Sequence, residues 1–292
     1  MTEMRALGLE RPRWSDAPGV RVPDRTLPLL RDLVSTHTGL CYDGERLDYL
    51  RDRLAPLALE RGFDSLLDYY YLLKYDADAS AEWPRVFDAL SVAETYFWRE
   101  VDQVNALAQH IVPALVAAGR RSIRIWSVPC ASGEEPLSLA IALEEAGWFG
   151  RVHIDLYASD ASDAVLRKAA AGRYGSRAFR QLPLHLREKY FDGDGTGAWI
   201  VKPSLKARVS AWTRVNIVRP EEVAAPAVAD VVFCRNLFIY FNETMVRHVA
   251  EQFAGRMRSP GFLCIGAAES LLRITSRFEL QDIGGAYVYV KP

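Results

Sequence analysis

SIRIWSVPCASGEEPLSLAIALEEAG, residues 122–147, decides how the rest of the chain is read. The apolar run SIRIWSV reads as a buried strand, and EEPLSLAIALEEAG as the helix that follows a turn of small residues. Many nucleotide sites are built this way, with backbone amides and the positive helix end meeting a phosphate. Here Gly133 is the only glycine of the turn, and Glu134 and Glu135 follow at once. A dinucleotide site asks for Gly-x-Gly-x-x-Gly and a P-loop for Gly-Lys-Ser/Thr, and neither is present. Two ionised carboxylates oppose an anion, so any ligand of this turn is neutral or cationic. The same pair also complements the helix macrodipole with no ligand at all.

The next strand, HIDLYASD, ends in Asp160. A carboxylate at the carboxyl end of the second strand of a Rossmann-like unit is placed for ribose hydroxyls. It is equally placed to cap the next helix. Taken together, the two stretches favour a ribose-bearing ligand without phosphate at the carboxyl edge of a sheet. S-adenosylmethionine, with a sulfonium, an ammonium and a ribose, fits that description.

Outward from this unit the pattern alternates. Strand candidates ADVVFC and FLCIGA follow, with helices VDQVNALAQHIVPALVAAG, SDAVLRKAAAG and ETMVRHVAEQFAGRM between or before them. Such alternation predicts a mainly parallel sheet covered by helices on both faces. FELQDIGGAYVYVKP at the end predicts an antiparallel hairpin around Gly284-Gly285. YFDGDGTGAWIVKPSLKARVSAWTRVNI, about 190–217, interrupts the alternation, and its AWIV and ARVSAW predict a small β insertion. Residues 26–92 read as helices only. In GERLDYLRDRLAPLALERG an apolar stripe runs through Leu47, Leu50, Leu54 and Leu57, Pro56 should kink or interrupt the helix, and Asp64 is a plausible N-cap for the next. Residues 1–25, rich in Arg and Pro, read as a loose arm. The expected architecture is thus α/β: an arm at 1–25, a small all-helical domain at 26–92, a linker and connecting helix at 93–120, and a Rossmann-like domain at 121–292.

Composition narrows the partners. The chain has 292 residues, half of them apolar, and a net charge of −1, so bulk electrostatics favours neither nucleic acid nor a membrane surface. Its four cysteines are far apart, which argues against structural disulfides and against a zinc site. No apolar run is long enough to span a bilayer, and the first residues lack the apolar core of a signal peptide. A cytoplasmic protein without a metal is expected.

Four ordered stretches resemble the CheR-type chemoreceptor glutamate methyltransferases: AETYFWRE, IWSVPCASGEEPLSLAIAL, DLYASDASDAVLRKAAAGRYG and DVVFCRNLFIYFN. GFLCIGAAESL is similar to that family's last core strand and following turn. The resemblance runs from about Leu29 to the C-terminus. It implies a class I methyltransferase fold using S-adenosylmethionine and releasing S-adenosylhomocysteine. It implies that Thr95 and Arg99 reach the cofactor, and that Glu134 or Glu135 meets its methionine moiety or stabilises the turn. By the same resemblance Asp160 takes the ribose, Asn216 and Ile217 lie near the adenine, Arg235 and Asn236 lie beside the cofactor, and Tyr240 stands at the active-site mouth. The chain departs from the family at Ala93, where some members have asparagine, at Leu137, where tyrosine is frequent, and at Ala267-Ala268, where His-Ser is frequent. Trp98 replaces a phenylalanine and keeps its bulk.

The implied reaction needs no general base. An unperturbed glutamate has a pKa of about 4.3 and is already a nucleophile at neutrality, so catalysis rests on alignment, which supplies about 7–11 kcal/mol in favourable cases. Arg99 can hold the incoming carboxylate or the cofactor's own, and Tyr240 can orient the acceptor; an ion pair with Glu94 or Glu100 is the structural alternative for Arg99. The implied partner is the cytoplasmic helical region of a methyl-accepting receptor, met by the chain as a monomer. Arg46 and Arg53, seven apart on one helix, could face its glutamate-rich surface, or simply pair with nearby Glu45, Asp48, Asp52 and Glu60. Another carboxylate acceptor, or a binding module without turnover, would share the same fold.

Overall fold

The computed structural model describes residues 20–23, 25–44 and 46–292. Most of the expected arm therefore lies outside the described residues. Arg21 is within them and is tied down: its N–H donates to the Asp64 carbonyl at 2.8 Å, and its guanidinium lies 2.8 Å from the Asp64 carboxylate.

Four helices come first: α1 (Thr26–Thr38), α2 (Arg46–Glu60), α3 (Leu66–Tyr75) and α4 (Ala79–Leu90). They bury Leu30 and Val34, Leu50 and Leu54, Leu66, Tyr69 and Leu73, and Val86 and Leu90 against one another. Pro56 neither breaks nor ends α2, which runs through it. It stands on the exposed face, where water can satisfy the carbonyl that its missing N–H leaves free. The cap of α3 is Ser65 instead of Asp64: its hydroxyl accepts from the Leu67 N–H at 3.2 Å while Asp64 is engaged by Arg21.

The connecting helix is α5 (Val101–Ala106) and α6 (Val112–Ala117), joined by a π turn at Leu107–Ile111. Beyond it, β1 (Ser122–Ser127), α7 (Glu134–Glu145), β2 (His153–Asp160) and α8 (Asp163–Ala171) form the first two strand–helix units. A small sheet follows, made of β3 (Arg173–Gly175), β4 (Phe191–Gly193) and β5 (Ala198–Val201), with α9 (Leu184–Tyr190) between its first two strands. Next come α10 (Pro203–Lys206), β6 (Val209–Arg214), α11 (Pro220–Val223), β7 (Val231–Phe233), α12 (Glu243–Arg256), β8 (Gly261–Cys264), β9 (Glu279–Ile283) and β10 (Ala286–Lys291).

The main sheet has seven strands in the order β6-β2-β1-β7-β8-β10-β9. The first five run parallel, and β10 pairs antiparallel with both β8 and β9, as the hairpin signal predicts. Ile123, Ile125 and Val231 point into the core on one face, and Trp126, Val232 and Leu263 into that on the other. The β insertion differs from its expected limits at both ends. ARVSAW is no part of it: β6 pairs parallel with β2 from Leu156 to Asp160 and forms the edge of the main sheet. The insertion instead begins directly after α8, because Arg173–Gly175 supplies a strand to β5. Three residues are too few for an alternation pattern to show.

The strand order reverses between β1 and β7, which pair side by side while β2 and β8 extend the sheet outward. Ligands of open α/β sheets bind in the crevice at the carboxyl ends of strands at such a switch point.

Candidate functional site

A cleft opens at that switch point. Pro129, Ala131, Glu135 and Ser138 line it from the β1–α7 turn, Arg235 and Asn236 from the end of β7, and Glu94, Thr95, Tyr96 and Arg99 from the connector. Thr95 and Arg99, on one segment, and Arg235 and Asn236, far along the chain, are thus brought together around one cleft.

The turn after β1 is built around Asp160. Its Oδ2 accepts from the Ala131 N–H at 2.9 Å and its Oδ1 from the Ser162 N–H at 3.0 Å. Gly133 has φ +97, and a Cβ there would lie 3.1 Å from Ala169 and Trp212, so only glycine fits the turn without strain. The Ala131 amide, which a phosphate site would leave for its ligand, is taken by a carboxylate of the protein itself. Burial pushes the Asp160 carboxyl up to about 6, against the pull of those backbone N–H groups. A carboxylate has about four lone-pair sites, so Asp160 keeps acceptor capacity for a hydroxyl donor.

The two glutamates part company. Glu134 is buried, and its carboxylate accepts from the Ser132 hydroxyl at 2.8 Å, two residues back in the turn. Glu135 lines the cleft; it accepts from the Ser127 hydroxyl at 2.7 Å and lies 3.4 Å from the Arg235 guanidinium. Burial raises both carboxyls; Ser132 offsets this at Glu134, and Arg235 with Ser127 at Glu135.

The connector holds its shape through packing on both sides. Phe97 is fully buried in an aromatic cluster with Tyr174, Phe179 and Phe191, and its N–H donates to the Ala178 carbonyl at 2.8 Å. The insertion thereby positions the connector. Trp98 and Glu100 have φ of +66 and +49, and the Trp98 N–H donates to the Ser138 hydroxyl of α7 at 3.0 Å. Between them, Arg99 makes no ion pair among the described residues. Its Nη1 donates to the Glu94 carbonyl at 2.9 Å, and its guanidinium lies 5.6 Å from the centre of the Tyr96 ring. Its charge therefore remains available to an anion. Glu100 pairs with Arg235 instead, at 3.4 Å.

Arg235, expected beside the cofactor, is 5% exposed and spends its charge inside the protein. It bridges Glu100 and Glu135 and donates to the Arg99 carbonyl at 2.5 Å. Asn236 adopts φ +58, with its N–H donated to the Glu269 carboxylate at 2.9 Å. Glu269 also accepts from the Gly266 N–H at 2.6 Å and the Ile239 N–H at 3.2 Å. Sequence reasoning passed over Glu269, Glu100, Ser127 and Ser138 as site residues. All four lie inside the stretches that carry the family resemblance, but nothing in a single sequence shows which partners such groups will meet.

Of the expected residues, Glu134, Asp160, Asn216, Ile217 and Tyr240 are not among those lining the cleft, though Asp160 holds the Ala131 amide at its wall. The Asn216 Nδ2 donates to the His37 carbonyl of α1 at 2.7 Å, and its Oδ1 accepts from the Val218 N–H. Ile217 is buried in the core on one face of the sheet. Tyr240 is half-buried where the helical unit meets β7's following loop, and its carbonyl accepts from the Cys41 N–H at 2.8 Å. Burial raises its hydroxyl's pKa, with Arg46 and Arg99 near enough to oppose the shift. Of the departures, Leu137 is fully buried in the core, and at Ala267 the contact with Glu100 is made by the backbone N–H, at 3.2 Å. Among the described residues, no cluster of His, Cys, Asp or Glu could hold a metal ion, and no helix is long and apolar enough to cross a membrane.

Residues 25–91 match the family model described as CheR methyltransferase, all-alpha domain, and residues 93–285 the one described as CheR methyltransferase, SAM binding domain. The chain is 32% identical to Chemotaxis protein methyltransferase 2 of Vibrio cholerae, over 93% of this chain and 94% of that one. It is 29% identical to Chemotaxis protein methyltransferase 1 of Pseudomonas aeruginosa, over 89% and 96%. A third relative, 34% identical over 79% of this chain and 53% of its own length, is the Probable biofilm formation methyltransferase WspC of Pseudomonas putida.

Proposed function

This chain belongs to the CheR methyltransferase family, and from that premise we propose that it methylates glutamate side chains on the cytoplasmic helical region of methyl-accepting chemoreceptors, forming glutamate methyl esters. The observation that carries the reading is the wall of the cleft: Glu135 at its surface, and Asp160 holding the Ala131 amide. Such a wall repels phosphate and suits an adenosyl sulfonium.

S-adenosylmethionine, when bound, supplies a methyl group on a positively charged sulfur. The residues of the chain do the rest. Asp160 keeps acceptor capacity for the ribose, at the end of β2 where that half of the ligand belongs. Glu135, Thr95 and Asn236 offer polar groups to the methionine end. The Arg99 fork holds a carboxylate, the ligand's own or that of the incoming glutamate, and neutralises it without a proton transfer. Because the acceptor is already ionised near neutrality, what the site provides is orientation and exclusion of water. Tyr240, whose hydroxyl feels the charges of both Arg46 and Arg99, orients the acceptor at the mouth.

Docking follows from the same surface. Arg46 and Arg53 are exposed on α2 with Tyr49 between them, and the Arg53 guanidinium lies 4.8 Å from the Tyr49 ring centre. Arg51, by contrast, is paired with Asp48 and Asp52, and Glu60 with Arg85. Arg46 and Tyr49 on this face lie near enough to Tyr240 for their charges to act on its hydroxyl, and an acidic helical bundle would meet this face of α2. The test is incubation with methyl-labelled S-adenosylmethionine and a receptor cytoplasmic fragment. Base-labile label on glutamate is expected; label that survives base, or none on any receptor fragment while a small carboxylate is methylated, would move the acceptor elsewhere.

A further inference from the structure

Asp88 belongs to α4, in the helical unit, yet its carboxylate is used by the other one. Its Oδ1 accepts from the Ser162 hydroxyl at 2.6 Å and from the Ala164 N–H at 3.0 Å, and Arg167 lies 3.6 Å from its Oδ2. The N-terminus of α8 is thus capped twice. Ser162 is the cap within the chain's own turn, accepting from the Val165 N–H at 3.3 Å, and Asp88 adds a second from a helix that ends before the connector begins.

Ser162 is almost wholly buried, and its own N–H donates to Asp160, whose second oxygen holds the Ala131 amide at the cleft wall. Asp88, Ser162, Asp160 and Ala131 therefore form one unbroken series of hydrogen bonds from the helical unit to the cleft. Without the first member the Ser162 hydroxyl loses its fixed direction and the Ala164 N–H its partner, and the 160–162 turn is free to relax. That turn carries the carboxylate read above as the ribose acceptor.

We propose that Asp88 is a positioning residue for the nucleoside half of the cleft, so that the seating of α4 on α8 sets the affinity for S-adenosylmethionine. This rests on the reading of Asp160 given under the proposed function. Linkage makes the effect reciprocal: a ligand held by Asp160 tightens the seating of α4 on α8 by the same factor.

The test uses the full chain with Asp88→Asn, Ser162→Ala and the double variant, measuring S-adenosylhomocysteine binding by calorimetry, steady-state kinetics and thermal melting. In each single variant Kd for S-adenosylhomocysteine and KM for S-adenosylmethionine rise by about 5–20-fold, while kcat at saturating cofactor changes by less than about twofold. The double variant binds within about twofold of the weaker single one, because both changes cut the same route. A merely structural role would lower the melting temperature and the active fraction and leave Kd and KM as in the parent, which overturns the proposal. Losses that multiply in the double variant overturn the route. If Asp88→Asn fails to fold, Ser162→Ala alone decides by the same criterion. A parent chain that does not bind S-adenosylhomocysteine overturns the functional reading itself and this inference with it, whereas unchanged variants beside a parent that binds overturn the inference alone.

Discussion

Arg235 and Glu135 meet inside the cleft wall, guanidinium to carboxylate at 3.4 Å, and the same guanidinium stands 3.4 Å from Glu100. One buried cation thus holds together α7, the connector and the end of β7. Replacing it with methionine leaves two carboxylates facing each other without the cation that bridges them. Breaking a buried pair from one side costs about 3–5 kcal/mol, and the burial that already raises Glu135 would then act unopposed by its largest counterweight. Arg235→Met is expected to melt well below the parent at neutral pH and to regain part of the difference as the pH falls and Glu135 takes up a proton. Equal melting temperatures at pH 7 would contradict the role assigned to the pair.

Arg99 carries the opposite expectation. Its guanidinium is spent only on the Glu94 carbonyl and the Tyr96 ring, so Arg99→Ala should change stability by about 0.5 kcal/mol or less, as for ordinary surface positions. Methyl transfer should nevertheless fall by about a hundredfold in kcat/KM, the loss usual when a reacting group is left about 1 Å out of place. Arg99→Lys keeps the charge but not the planar fork, and should recover only part of the rate. Melting curves and steady-state kinetics on the same preparations separate the two effects.

Asp160, raised to about 6 by burial, should make cofactor affinity depend on pH if it takes the ribose as proposed. The folded chain without ligand holds this proton between 3.8, the group's ordinary value, and about 6. On its own, then, the group favours the fold most below 3.8, and that contribution is lost as the pH rises through about 6. A ligand that needs the ionised carboxylate reverses the preference. Kd for S-adenosylhomocysteine should be flat above pH 7 and weaken by about tenfold per unit below about 6. Asp160→Asn should bind poorly at every pH and show a flatter profile, so a profile as steep as the parent's would assign the titration to another group.

Glu269 holds the loop that carries Asn236, accepting from Gly266, Asn236 and Ile239 amides. Glutamine can accept at one oxygen only and turns a donor toward amides that are themselves donors. Glu269→Gln should cost about 1–3 kcal/mol, the usual penalty for buried donors left unmet, and should release Asn236 from its φ of +58. Faster hydrogen exchange at residues 236–240, with reduced cofactor affinity, is the expected signature. Exchange unchanged at those amides would show that the loop is held by other contacts.

Much of the architecture was legible because it depends on local rules. The strand–turn–helix at 122–147, the closing hairpin and the all-helical front follow from residue periodicity and turn chemistry, which act over a few neighbours. The errors fall where the same local pattern serves two structures. ARVSAW alternates equally well at the edge of either sheet, and only the pairing of Val209 with Leu156 chooses the larger one. Pro56 breaks a helix in principle, yet its solvent-facing position made the loss small.

The sequence by itself determined the fold class, the acid-rich turn without a phosphate cradle, and the set of motifs shared with a methyltransferase family. It could not tell Glu134 from Glu135, since adjacent carboxylates differ only in which group each meets once folded: Ser132 in the same turn for one, the distant Arg235 for the other. Nor could it show that Asn216 would be claimed by the His37 carbonyl, or that Asp88 would reach Ser162 across 74 residues. Hydrogen bonds and ion pairs between segments far apart in the chain are short-ranged and directional. They exist only once burial of the apolar faces has fixed where each segment lies.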